Sequence, residues 1–215
     1  LVFTLFCLLG PCAQQLRADV TAVPLTTSQV GQNPYKFNGV LGDSLGARGS
    51  GAVVRHPNVV LSCAHVVFDD TETFLNPWNE DVRWFWKHHA SAEPSPDKGT
   101  ALRGYAKFTS YQFAAEAYGN TSLGALGWDV VAHYAYESLA GGEFGGGWDD
   151  GTAALRGSNP KMITGYPSGL YPFGHPDENK MHVTGPFPAA MQVVRGAYLD
   201  ADGVAIGPGN SGGPV

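Results

Sequence analysis

The clearest chemical pattern in this sequence lies in the segment 207–214, which reads Gly-Pro-Gly-Asn-Ser-Gly-Gly-Pro. It places one hydroxyl group, that of Ser211, among residues with almost no side chains. Glycines beside a serine let backbone N–H groups turn toward one point, where they can bind the oxyanion of an attacked carbonyl. The pattern therefore predicts Ser211 as a nucleophile, with the Gly209 and Ser211 amides as oxyanion-hole donors. The alternative is a Gly-Pro turn that contains an exposed serine.

A serine hydroxyl is a weak nucleophile until a neighbouring base removes its proton, so this prediction requires a histidine elsewhere in the chain. The segment 49–67 consists of two short apolar runs joined by the turn sequence His56-Pro57-Asn58, and the second run ends in Ala64-His65. The sequence predicts His65 as the general base.

These two blocks resemble the trypsin-like serine endopeptidases. In that family the base follows an alanine at the end of such a strand, and the nucleophile lies in Gly-Asp-Ser-Gly-Gly-Pro or, in bacterial and heat-shock branches, in Gly-Asn-Ser-Gly-Gly. The resemblance implies a serine endopeptidase that works through an acyl-enzyme intermediate, with a carboxylate between the histidine and the serine in the chain. Asp129, which precedes an apolar run, fits that place, and Asp149 and Asp150 in a Gly-rich segment are its rivals.

The sequence also departs from the animal digestive enzymes of that family. Asn210 stands where they carry an aspartate that pairs with a newly cut N-terminus, and neither an Ile-Val-Gly-Gly start nor the cysteines that bracket the histidine are present. These departures imply the bacterial-type branches, which include the glutamyl endopeptidases. Ala205 occupies the position that is acidic in trypsin, and a neutral residue there predicts no preference for Lys or Arg.

Other reactive residues suggest weaker alternatives. Cys63 lies two residues before His65, but side chains so close in sequence rarely reach the geometry of a nucleophile and its base, so we predict a small half-buried residue beside the site. Asp200-Ala-Asp202-Gly203 lacks the later ligands of a calcium loop and is predicted to be a hairpin turn. The spacing of the other histidines is not that of a metal site, so neither a metal nor a cofactor is expected. These histidines are predicted to be surface or packing residues: His56, His88, His89, His133, His175 and His182.

Composition restricts the class of protein and its partners. Of 215 residues, 43% are apolar and only 15% charged, with 29 Gly and 15 Pro, which favours short strands joined by tight turns. The net charge of −6 and the lack of a Lys/Arg cluster argue against nucleic acid or an anionic membrane surface as a partner. The expected partners are protein or peptide substrates.

The spacing of the predicted strands indicates an all-β fold, an antiparallel barrel or sandwich. The resemblance implies two antiparallel β-barrels with the active site in the cleft between them. A Gly-rich linker at 141–151 separates residues 19–140, a lead-in and N-terminal barrel that carries His65 and Asp129, from residues 152–215, a partial C-terminal barrel that carries Ser211. One short helix is predicted at 110–118. Alternation and turn residues predict strands at 51–54, 58–62, 82–86, 102–108, 130–136, 161–166 and 192–198.

The first ten residues are an apolar run of the length found in secretory signals. Residues 1–18 are interpreted as a partial signal peptide cleaved after Ala13 or Ala18, which predicts a secreted, extracellular or periplasmic protein without an integral membrane segment in the mature chain. A lipid-anchored Cys12 is the alternative. We expect the chain to be truncated at both ends and its second barrel to be incomplete. A catalytically silent binding protein and an inactive fragment are the alternatives to an active peptidase.

Overall fold

The computed structural model describes residues 22–43, 48–68, 81–120, 122–146, 157–158, 160–167, 174–187, 192–194 and 198–200. In this part of the chain the protein is mainly β, with three α helices of at most ten residues. No helix among these residues is long and apolar enough to cross a membrane. Several predictions lie outside the described residues: the signal peptide at 1–18, Asp149, Asp150, the turn at Asp202 and Gly203, Ala205, Gly209 and Ser211.

The elements alternate as short strands and turns along the chain. The helices are α1 (Thr27–Val30), α2 (Thr109–Tyr118) and α3 (Leu123–Leu126). The strands are β1 (Ala22–Pro24), β2 (Asn38–Gly42), β3 (Arg48–Val53), β4 (Val59–Ser62), β5 (Arg83–Trp86), β6 (Thr100–Ala101), β7 (Gly104–Lys107), β8 (Val131–Tyr134), β9 (Lys161–Gly165), β10 (His182–Phe187), β11 (Gln192–Val194) and β12 (Tyr198–Asp200).

Seven strands form one antiparallel sheet in the order β6-β5-β2-β3-β4-β8-β7. Its two edge strands, β6 and β7, are consecutive in the chain and are separated by only Leu102 and Arg103. The Leu102 N–H donates to the Val82 carbonyl (3.2 Å) and the Arg103 N–H donates to the Tyr134 carbonyl (2.8 Å), so this short segment bonds to both sides of the sheet. The sheet is therefore curled so that its two edges come close together, as in a barrel.

Trp84 fills much of the barrel interior. Its ring is buried in the larger apolar cluster, and its indole N–H donates to the Leu139 carbonyl at 2.9 Å. The ring lies so close to β2 that a Cβ atom on Gly39 would come within 2.6 Å of it, and within 2.6 Å of the Phe85 carbonyl. A glycine in the middle of this strand is therefore required by the approach of the neighbouring strand and its side chain.

The second sheet has the order β1-β10-β9. In it β1, from the segment predicted as a lead-in, pairs antiparallel with β10, with Val23 opposite Val183. The following helix α1 begins at a capping box formed by Thr26 and Gln29. The N-terminal segment thus supplies an edge strand to a sheet whose other strands come more than 130 residues later in the sequence.

A second apolar cluster joins this sheet to the outside of the barrel. It combines Val40 and Phe85 from the barrel with Tyr166, Met181 and Val183 from the region of β9 and β10. Two buried polar contacts lie in the same junction. The Asn38 side-chain amide donates to Thr164 Oγ1 at 2.6 Å, and the Tyr166 backbone N–H donates to Ser50 Oγ at 2.9 Å. The two parts are thus joined by both apolar packing and directional bonds.

Most of the predicted elements are confirmed with shifts of one or two residues at their ends, and the predicted helix is α2. The prediction of a single strand at 192–198 was wrong. Residues 192–194 and 198–200 form two strands, β11 and β12, that pair antiparallel with Val193 opposite Leu199. The sequence analysis did not predict the strands β1, β2, β6 and β10 or the short helices α1 and α3.

Candidate active site

His65 lies in a single 3-10 turn, Ala64–Val66, that directly follows β4. Cys63 is extended (φ −80°, ψ 143°) and begins the turn, and the side chains of Ala64 and Val66 are buried in the barrel core. These two apolar neighbours fix the backbone on either side of the histidine. The imidazole itself keeps 26% of its side-chain surface exposed, so it is held at the rim of the barrel with access to solvent.

Asp129 lies between helix α3 and strand β8. The Ser122 side chain caps α3 by accepting from the Ala125 N–H (3.2 Å), and the helix ends at Gly127. The Asp129 N–H then donates to the Leu126 carbonyl at 3.3 Å, which continues the turn for one more residue before β8 begins. The carboxylate thus comes from a short, internally bonded turn.

The pairing of β4 with β8 brings these two turns together. The strands are antiparallel and Ser62 lies opposite Val131, so the end of β4 and the beginning of β8 are at the same edge of the sheet. Residues that follow one strand and precede the other must then be neighbours in space. His65 and Asp129 are 64 positions apart in the chain and are neighbours for this reason.

Two contacts join the side chain of Asp129 to His65. Its Oδ2 lies 2.5 Å from the imidazole Nδ1, and its Oδ1 accepts the backbone N–H of His65 at 2.8 Å. The carboxylate is buried, with only 5% of its side-chain surface exposed, and both oxygens are engaged, which offsets part of the cost of its desolvation. With the proton on Nδ1 for this contact, Nε2 is the ring nitrogen able to accept a proton. Such an arrangement can orient a histidine for proton transfer.

Cys63 completes a compact group of reactive side chains. Its Sγ and one ligand atom each from His65 and Asp129 all lie within 4.8 Å of one another. The thiol is half-buried against the barrel core and is not in a disulfide, in agreement with the predicted small residue beside the site. Sequence reasoning did not identify Cys63 as a possible metal ligand, although the Cys-x-His spacing contained that signal.

The other histidines have surroundings different from that of His65. His56 lies in an exposed turn, where its Nδ1 accepts the Asn58 N–H at 3.2 Å. His133 is buried within β8, where desolvation lowers its pKa to about 4. His182 is buried in β10, and its pKa is lowered mainly by burial, although Nδ1 lies 2.8 Å from the Lys180 carbonyl. These three are surface or packing residues, as predicted.

The predicted nucleophile Ser211, the oxyanion-hole residue Gly209 and the pocket residue Ala205 lie outside the described residues, and their roles remain predictions. The same holds for Asp149 and Asp150, the rivals of Asp129. The structure thus describes two of the predicted triad residues and brings them into contact.

Comparisons with known proteins show what the fold is similar to. No protein-family model and no curated protein sequence matches the chain. A solved structure described as a Glu endopeptidase in complex with MPD superposes with a TM-score of 0.64 over 91% of this chain and 79% of that chain, at 14% identity. The protease Anisep from Arthrobacter nicotinovorans gives a TM-score of 0.47 at 13% identity over 71% of this chain and 64% of that chain.

The first of these likenesses extends over almost the whole chain, and together with the barrel and the second sheet it confirms the predicted all-β, two-barrel class. At this level of identity the likeness concerns the fold alone. The chain has the fold of the trypsin-like serine proteases.

Proposed function

We propose that this protein is a serine endopeptidase with a triad of Ser211, His65 and Asp129. The observation that carries the proposal is the contact of Asp129 with both the imidazole and the backbone N–H of His65. This pair lies on a fold shared with a known endopeptidase. The Gly-Asn-Ser-Gly-Gly sequence around Ser211 supplies the third group.

In the proposed mechanism, His65 Nε2 takes the proton of the Ser211 hydroxyl as its oxygen attacks a peptide carbonyl. Asp129 holds the ring in the required tautomer and stabilises the imidazolium that forms. The amides of Gly209 and Ser211 bind the oxyanion of the tetrahedral intermediate. His65 then returns its proton to the leaving amine. In the second half of the reaction His65 takes a proton from water as the water attacks the acyl-enzyme, and gives that proton back to the Ser211 oxygen as the acyl group leaves.

The burial of Asp129 supports its choice as the triad carboxylate. A carboxylate shielded from water interacts more strongly with a developing imidazolium than an exposed one does, because fewer water dipoles screen the charges. Its second contact, with the His65 backbone N–H, prevents the carboxylate from rotating away from the ring. Asp149 and Asp150 remain the alternatives that mutation can test.

The proposed substrates are peptide bonds of proteins or peptides, acted on after export of the enzyme from the cell. Ala205 offers no charge to a Lys or Arg side chain, so we propose that substrates with these residues before the cleaved bond are not preferred.

The test is active-site labelling of the protein expressed from its complete reading frame. A serine-directed phosphonate should modify Ser211, and peptide mapping by mass spectrometry should locate the label there. His65→Ala should lower hydrolysis by about 10⁴-fold or more, since base and nucleophile act as one unit. Asp129→Asn should lower turnover by about 10⁴-fold, because the amide favours the wrong tautomer of the ring.

The matched controls are His56→Ala, in an exposed turn, and Asp149→Asn and Asp150→Asn, and each should keep the activity of the unmodified protein. If Asp149→Asn or Asp150→Asn abolished activity while Asp129→Asn did not, the carboxylate would be misassigned. A folded protein that neither takes the label nor cleaves peptides would instead support the silent binding protein.

A further inference from the structure

The side chains of Cys63, His65 and Asp129 form a donor set that suits a metal ion. A thiolate, an imidazole and a carboxylate are the three ligand types that Zn²⁺ uses in proteins. Their ligand atoms already lie within 4.8 Å of one another, whereas bond lengths of about 2.0–2.3 Å around a tetrahedral zinc ion place neighbouring ligand atoms about 3.5 Å apart. The ligand atoms would need to approach one another by no more than about 1.3 Å to bind one ion.

Burial and charge also fit a divalent cation. Asp129 is buried, and Cys63 and His65 are half-buried, so this is not a cluster of exposed acidic groups that water and salt would satisfy. A thiolate and a carboxylate together carry two negative charges, which a divalent ion neutralises, and the thiol releases its proton to solvent on binding. Three protein ligands leave a fourth position for water.

The ion would replace the contact on which the proposed mechanism depends. His65 Nδ1 and Asp129 Oδ2 are 2.5 Å apart, which is closer than two ligands of one tetrahedral ion can lie. Binding through these atoms must separate them by about 1 Å and move the imidazole proton from Nδ1 to Nε2, so that the ring stays neutral. The ring is then held by the metal and no longer by the carboxylate.

We propose that Cys63, His65 and Asp129 form a thiolate site for Zn²⁺ and similar soft divalent ions, and that the bound ion reversibly inhibits the enzyme. The inhibition rests on the proposed function, whereas the binding site does not. Cys63 is the residue that confers the metal sensitivity, because the imidazole and carboxylate alone would make a two-ligand site.

Binding is measured without reference to activity, through the ultraviolet charge-transfer absorption of a Cd²⁺–thiolate bond. The 215 residues of this sequence include three cysteines, so Cys7→Ser and Cys12→Ser are introduced first, which leaves Cys63 as the one thiol among them. Titration with Cd²⁺ should produce the absorption band, and added Zn²⁺ should remove it by competition. Cys63→Ser should abolish the band.

The other two ligands separate this site from simple binding to a thiol. His65→Ala and Asp129→Asn should each weaken Cd²⁺ binding by about 100-fold, since even changes to groups that only support metal ligands cost 10 to 100-fold. His65→Gln serves as a second variant if either of these fails to show the circular dichroism of the folded protein. A band of unchanged affinity in folded variants of His65 and Asp129 would overturn the proposal.

Inhibition is then measured as the ratio of peptide hydrolysis with and without Zn²⁺. The ratio should fall at least about tenfold in the protein with Cys63 and remain near one in Cys63→Ser, and excess chelator should restore the full rate. Ser211→Ala should be inactive yet bind Cd²⁺ as before, so a failure of the peptidase assignment is distinguishable from a failure of the metal site. Hydrolysis that is lost in chelator and restored by Zn²⁺ would refute the inhibitory role.

Discussion

The buried histidine of strand β8 predicts how the stability of this protein depends on pH. His133 has 2% of its surface exposed, and its ring lies 6.0 Å from that of Tyr105 in an edge-to-face arrangement. Burial lowers its pKa from 6.5 to about 4. The folded protein therefore keeps His133 neutral at pH values at which the unfolded chain is already protonated.

The sign and size of the effect follow from this difference in pKa. Between pH 6.5 and 4 the unfolded state binds a proton at this residue that the folded state does not, so acid favours unfolding. Each pKa unit corresponds to about 1.36 kcal/mol, and protonation of His133 in the unfolded chain should lower the free energy of unfolding by about 3 kcal/mol at pH 4 relative to pH 7. The stability that the neutral His133 preserves is thus fully present above about pH 7 and is lost as the pH falls toward 4.

The assay is urea unfolding followed by tryptophan fluorescence at pH values from 7 to 4. Other groups also titrate in this range, so the quantity to compare is the loss of stability between pH 7 and pH 4 in matched proteins. His133→Phe and His133→Gln should each lose about 3 kcal/mol less than the unmodified protein over this interval. His56→Gln, which alters an exposed turn, should lose as much as the unmodified protein. Equal losses in the unmodified protein and both His133 variants would refute the reasoning.

Two further predictions concern close contacts in the fold and use the same urea assay. Ser50→Ala should cost about 1–3 kcal/mol, because the buried Tyr166 N–H loses its acceptor at 2.9 Å; a change below 0.5 kcal/mol would show that another acceptor replaces it. Gly39→Ala should cost about 3 kcal/mol or more, since the added Cβ would lie 2.6 Å from the Phe85 carbonyl. Gly146→Ala should leave stability nearly unchanged, since a Cβ added there would have no atom of the described residues within 4 Å apart from its chain neighbours. Equal stabilities of these two alanine variants would contradict the close packing at Gly39.

Strand prediction succeeded for segments whose residue types favour strands, and it failed for segments that are strands only because of their tertiary contacts. The β4 sequence Val-Val-Leu-Ser and the β8 sequence Val-Ala-His-Tyr contain the β-branched, apolar and aromatic residues typical of strands. The β2 sequence Asn-Gly-Val-Leu-Gly has two glycines, which single-sequence reasoning assigns to turns. It is a strand because it pairs with both β3 and β5, and Gly39 is needed there since Trp84 and the β5 backbone occupy the space of a side chain.

The partner of β1 could not be predicted from local sequence either. This strand has only three residues, Ala-Val-Pro, and it pairs with a strand that begins 160 positions later at His182. Pairing between such distant segments depends on the closure of everything between them, which no local pattern encodes. The sequence analysis therefore treated this segment as a lead-in, whereas the structure makes it an edge strand.

The sequence alone determined the all-β class and proposed His65, Asp129 and Ser211, because motifs carry chemistry in a few adjacent residues. Only the tertiary structure decided that His65 and Asp129 are in contact, since the register of β4 against β8 brings their two turns to one edge of the sheet. The same register places Cys63 with them. Spacing along a chain gives the order of residues, whereas the pairing of strands sets the distances on which proton transfer and metal binding depend.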